Sequence, residues 1–174
     1  MSVGKRVKEC LDKIKDGDLE NAFIQLSIAI DATAKKEYPN DTTSKRCKKF
    51  IKTNLPFVMW SLTNGTPTTC QSLSFQFSSE SSPSGFTNFE DVFYKYMRCN
   101  LIHEGEMPSK ITFAYNNYNK MEEGELVFPE ALISSYLFAV VASPKNKDQR
   151  VPDDYKFIFG KKEFFINDLW GDIE

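Results

Sequence analysis

The sequence predicts a mainly α protein, an antiparallel helical bundle with β-hairpin additions. Three observations predict it. Apolar residues in the first third recur at spacings of three and four. One apolar stretch, Ala131–Ala142, is 12 residues long: enough for a buried helix, and short of the roughly 20 needed to cross a bilayer. The other apolar positions alternate in short runs bounded by turn residues. With 174 residues, 41% apolar and 26% charged, the chain suits one well-buried domain spanning 1–174.

Each element has its own signal. Val7, Cys10, Leu11 and Ile14 mark a first amphipathic helix ending near Asp16 and Gly17. Asp18 caps a second helix with the stripe Leu19, Ala22, Phe23, Leu26, Ile30 and Ala34, and Pro39 enforces its end. Ser44 caps a third helix through about Asn54, with Cys47, Phe50 and Ile51 on its apolar face. Lys45, Lys48, Lys49 and Lys52 share the opposite face, within about 100° on a helical wheel. Residues 61–88 are rich in Ser, Thr, Gly, Pro and Asn. There Cys70, Leu73, Phe75 and Phe77 suggest one short strand, and 78–85 read as a long loop.

Thr87 or Asn88 then caps a fourth helix, with Glu90 and Asp91 in its first turn where the dipole favours acids. Phe89, Val92, Phe93, Tyr96 and Asn100 form its inward side, and Gly105 ends it. Ile111, Phe113 and Tyr115 alternate, Asn116 and Asn117 can turn, and 125–128 returns as a partner strand. Pro129 and Glu130 open the buried helix. Residues 155–166 alternate around Gly160-Lys161-Lys162 and read as a final hairpin.

Composition excludes several functions. A net charge of −2 is incompatible with a strongly basic nucleic-acid coat. Residues 1–54 nevertheless hold 12 Lys and Arg against 8 Asp and Glu, so a polyanion can still be met locally. The lysine stripe of the third helix has two readings, a solvated helix face or an RNA-binding track facing phosphates. The first residues are charged where a signal peptide would turn apolar, so the expected location is cytoplasmic. Cysteines at 10, 47, 70 and 99 form no Cys-x-x-Cys pair and are expected as reduced, mostly buried thiols. No metal site and no cofactor are expected. No Walker loop, dinucleotide fingerprint, Gly-x-Ser-x-Gly elbow or His-Glu-x-x-His is present.

The single histidine, His103, rules out any mechanism needing two imidazoles from one chain. It closes the stretch Arg98-Cys-Asn-Leu-Ile-His103. An imidazole moves a proton near neutrality. A guanidinium matches phosphate oxygens in a planar fork. Asn100 stands one helical turn before His103 and can orient it. Together these suit phosphodiester cleavage through a ribose 2′-hydroxyl: one group takes the proton and another steadies the charge on phosphorus. The structural alternative pairs Arg98 with Asp91 or Glu104 at the surface and buries His103. Cys99 and His103, at i and i+4, also have the spacing of a thiol nucleophile and its base, without a third orienting group.

The Arg98-x4-His103 pattern on a late helix resembles the signature of the HEPN superfamily. That resemblance implies a HEPN-like bundle and a metal-independent endoribonuclease of toxin–antitoxin, defence or RNA-processing systems. It also implies a homodimer with two motifs facing one cleft, and roles for Arg98, His103 and Asn100. The family often has a polar residue directly after the Arg; here that position is Cys99. The composition leads to a dimer independently, because an acid–base pair of imidazoles requires two copies of this chain. The expected partners are RNA or a nucleotide, a second copy and an antitoxin or other protein, with no membrane. The competing expectation is a non-catalytic HEPN-like module that binds nucleotides or a partner protein.

Overall fold

The computed structural model describes residues 2–63, 65–66, 72–76, 85–95, 111–114, 126–159 and 162–172. The protein is mainly helical, with three small two-stranded β-ladders among these residues. Helix α1 (Val3–Lys15) and helix α2 (Leu19–Glu37) form an antiparallel hairpin turned at Gly17, whose φ is +75°. Asp18 caps α2 by accepting from the Asn21 backbone N–H at 3.2 Å, as its residue type predicts. The two helices are stitched by Cys10 Sγ donating to the Ala22 carbonyl at 3.2 Å and by Arg6 donating to Gln25 at 2.9 Å. Full burial pushes the Cys10 thiol well above its ordinary range, so it is an inert packing group.

Helix α3 (Thr43–Leu62) corrects two expectations. Its N-cap is Thr42, not Ser44, and it runs well past Asn54. Pro56 lies inside it and has no N–H to give the Lys52 carbonyl. The helix persists because Leu55 and Val58 are buried and Phe57 stacks on Phe138 with ring centroids 5.0 Å apart. Tertiary burial thus outweighs a local breaker.

Strand β1 (Ser74–Gln76) pairs antiparallel with β2 (Phe86–Asn88), where the sequence predicts a helix cap after a loop and not a strand. Asn88 does occupy the N-cap position of α4 (Phe89–Val92), but its side chain accepts from Ser74 Oγ at 2.9 Å and caps nothing. The chain then continues as a π-type turn through residues 93–95. Strand β3 (Ile111–Ala114) pairs with β4 (Leu126–Pro129) in parallel, not as the expected hairpin. A parallel pair needs a crossover of about a dozen residues, which a two-residue turn at Asn116 and Asn117 cannot provide. The ladder extends into helix α5 (Ala131–Ala142), where the Glu130 N–H donates to the Ala114 carbonyl at 3.0 Å. Strands β5 (Lys156–Phe159) and β6 (Lys162–Phe165) form the predicted antiparallel hairpin.

The core lies where α2, α3, α4 and α5 meet. Tyr136, Phe23, Phe50, Phe89 and Phe93 are its largest fully buried side chains. Phe23 meets Phe93 edge-on at 5.0 Å, and Phe93 meets Tyr136 at 5.2 Å. Tyr136 Oη donates to the Ile51 carbonyl at 3.0 Å, which satisfies its buried hydroxyl. Asn146, fully buried after α5, donates to Thr33 Oγ1 at 2.9 Å and to the Val140 carbonyl at 2.8 Å. It also accepts from Lys36 Nζ at 2.9 Å, joining α2 to the end of α5. Among the described residues, no helix is long and apolar enough to cross a membrane.

Candidate nucleic-acid interface

The cap of α3 sets the lysine face. Thr42 Oγ1 lies 3.4 Å from the Lys45 backbone N–H it accepts from. From there, helical geometry places Lys45, Lys48, Lys49 and Lys52 on one side while Cys47, Phe50 and Ile51 are buried on the other. The face exists as the spacing predicts, but every ammonium on it meets a carboxylate. Lys45 Nζ lies 2.8 Å from Asp41, and Lys49 Nζ lies 3.8 Å from the same residue. Lys49 also sits 4.1 Å over the Tyr38 ring. Lys48 Nζ is 2.6 Å from Asp91 and 5.6 Å from the centre of the Tyr94 ring. Lys52 Nζ is 3.5 Å from Glu90.

Two consequences follow for the electrostatics. Four lysines meet three acids, Asp41, Glu90 and Asp91, so the face keeps only a small positive excess. The Lys45 hydrogen bond, with charge support from Lys49, holds the Asp41 carboxyl below the usual carboxylate range. Exposed pairs of this kind are weak, and a phosphate oxygen can replace a carboxylate at a lysine. Glu90 is nearly buried and, after burial itself, is the further influence that pushes the Tyr136 hydroxyl well up. The sequence presents Glu90 and Asp91 as dipole acids of α4. The structure gives them a second task, to dock α4 on the lysine face.

Arg98, Asn100 and His103, with Cys99 between them, lie outside the described residues. Asp91, the surface partner offered to Arg98 in the structural alternative, holds Lys48. Cys70, Tyr96, Gly105 and the 78–84 loop also lie outside them. Among the described residues, no three His, Cys, Asp or Glu side chains are grouped to hold a metal.

One polar cluster had no sequence signal. Tyr155 Oη donates to Asp12 of α1, Lys8 Nζ lies 2.6 Å from the same carboxylate, and Lys15 Nζ stands 4.5 Å over the Tyr155 ring. Donation to Asp12 raises the Tyr155 hydroxyl above its ordinary pKa. The partners are separated by most of the chain, so no local pattern reveals them.

A family model described as Rv1289 matches residues 2–174. The chain is similar to the uncharacterized protein Rv1289 of Mycobacterium tuberculosis, with 24% identity over 178 residues covering 98% of this chain and 84% of the relative. The uncharacterized protein Mb1320 of Mycobacterium bovis is similar at the same 24% identity, over the same 98% and 84%. No solved structure matches the chain.

Proposed function

The chain belongs to the Rv1289 family over residues 2–174, and on the strength of its Arg98-x4-His103 pattern we propose that it is a HEPN-like, metal-independent endoribonuclease. It acts as a cytoplasmic homodimer in a toxin–antitoxin or defence system. His103 moves the proton, Arg98 steadies the charge on phosphorus and Asn100 positions them. A ribose 2′-hydroxyl attacks the phosphorus, the 5′-oxygen leaves with a proton, and a 2′,3′-cyclic phosphate remains.

The observation that carries this reading is the docking of α4 on the lysine face. Lys48 binds both Asp91 and Tyr94, and Tyr94 precedes Arg98 by four residues. An extended chain spans about 3.3–3.6 Å per residue, so at most about 14 Å of chain separates Tyr94 from Arg98. Lysines within that reach of Arg98 support the reading, because a site that cuts RNA at Arg98 and His103 would need cations nearby to hold the phosphate backbone. The same ion pairs favour a second reading, a non-catalytic module that binds a nucleotide or partner protein. A face whose lysines are already paired attracts a long polyanion less than a free one.

The test is purified protein incubated with single-stranded RNA in EDTA, with product ends mapped and mass measured by light scattering. Cleavage leaving 2′,3′-cyclic or 3′-phosphate ends, by a dimer, is expected. A monomer with no cleavage that still binds a nucleotide would favour the second reading. Cleavage that EDTA abolishes and magnesium restores would overturn the mechanism.

A further inference from the structure

A cavity of about 210 Å³ opens between α3, α5 and the strands β1 and β4. Its floor is Leu55, Phe89, Phe128 and Leu132, all buried. Its mouth is formed by the half-buried Met59, Leu62, Leu73 and Val127. Among the described residues that line it, none has a side chain that can donate a hydrogen bond. Phe75, Phe89 and Phe128 form one wall: Phe128 meets the other two edge-on, each with centroids 5.9 Å away.

We propose that this cavity is a binding site for one small, neutral aromatic molecule of about the size of toluene. Three observations select that chemistry. The first is size. An apolar cavity of about 150 Å³ stays dry and accepts benzene, so 210 Å³ holds one ring with a short substituent. It is below the roughly 300–1,000 Å³ of drug-sized sites. The second is polarity. A bound water needs two to four polar partners, and a carboxylate or ammonium guest would lose its hydration with no polar side chain among the described lining residues to replace it. The third is shape. Three phenylalanine rings, Phe75, Phe89 and Phe128, and the soft thioether of Met59 line the cavity, and such groups favour an aromatic guest over a branched aliphatic one. The site is independent of the RNA chemistry proposed above. It shares one residue with the route to the motif: Phe89 is both cavity floor and the first residue of α4.

The test uses the full chain with toluene as the probe and benzoate as its charged counterpart. Toluene should raise Tm with the logarithm of its concentration, by about 4 °C at ten times its Kd. Intermolecular NOEs should connect its protons to the Met59 methyl group. Benzoate should bind at least ~100-fold more weakly, since its charge would be buried. Leu73→Phe fills the mouth and should weaken toluene at least tenfold; Val127→Phe gives the same comparison if the first variant misfolds. Absence of toluene binding, equal binding of benzoate, or NOEs that miss Met59 would each overturn the proposal.

Discussion

Asp41 binds two ammonium groups, at 2.8 Å from Lys45 and 3.8 Å from Lys49, and its folded pKa is lowered as a result. A carboxyl with a depressed folded pKa adds stability above its unfolded value of about 3.9 and loses it as pH falls through the folded value. The urea midpoint of the wild type should therefore exceed that of Asp41→Asn near about pH 6, and the gap should narrow steadily as pH falls below about 4. A gap that widens on acidification would contradict this pairing. Lys45, Lys48, Lys49 and Lys52 were legible as one face because helical spacing is local. Two of their acids, Glu90 and Asp91, were not legible as partners, because they reach the lysines from another helix. At the motif, Arg98→Ala and His103→Ala should each lower RNA cleavage by about 10²–10⁴ while circular dichroism and Tm stay near wild type, since removing a proton-transfer group costs that much. Unfolding of His103→Ala with no change in any RNA assay would make His103 a packing residue.

Helix α3 shows the conflict between local preference and burial most openly. A proline inside a helix costs about 3 kcal/mol relative to alanine. Pro56 is exposed and leaves the Lys52 carbonyl without its helical donor. Pro56→Ala should thus stabilise the protein by about 1–3 kcal/mol in urea denaturation, the lower end allowing for the freer unfolded chain. A loss of stability would mean the ring itself is packed in place. The second half of α3 is hidden in the sequence because Pro56 reads as a helix breaker, while the burial of Leu55 and Val58 that overrides it comes from other elements. Helices α1, α2 and α5 were legible throughout: a cap, a stripe or a long apolar run broken only by Ser134 and Ser135 specifies each within its own residues. The direction of β3 against β4 was not. Alternation reveals a strand and its buried side, but parallel and antiparallel partners alternate alike, and only the intervening path distinguishes them.

Across the whole molecule, α1 is clamped to the segment between α5 and β5. The Gly4 N–H and Ser2 Oγ both donate to Gln149 Oε1 at 3.0 Å, and Tyr155 reaches Asp12 further along the helix. A Cβ on Gly4 would collide with the Arg150 backbone carbonyl. Helix propensity alone makes Gly→Ala favourable by about 1 kcal/mol. Here Gly4→Ala should instead destabilise the protein by about 1–3 kcal/mol, because the obstacle is backbone and cannot swing aside. A Tm above that of the wild type would show that α1 is free to shift. The three β-ladders, each two strands wide and three or four residues long, have a consequence of another kind. They divide the molecule in time. Short ladders open locally, whereas buried α2 and α5 release their amide protons only when the whole chain unfolds. In deuterated water the amides of Phe75, Thr112 and Ile158 should exchange orders of magnitude sooner than those of Ile30 and Val140, so that strands and helical centre keep separate clocks.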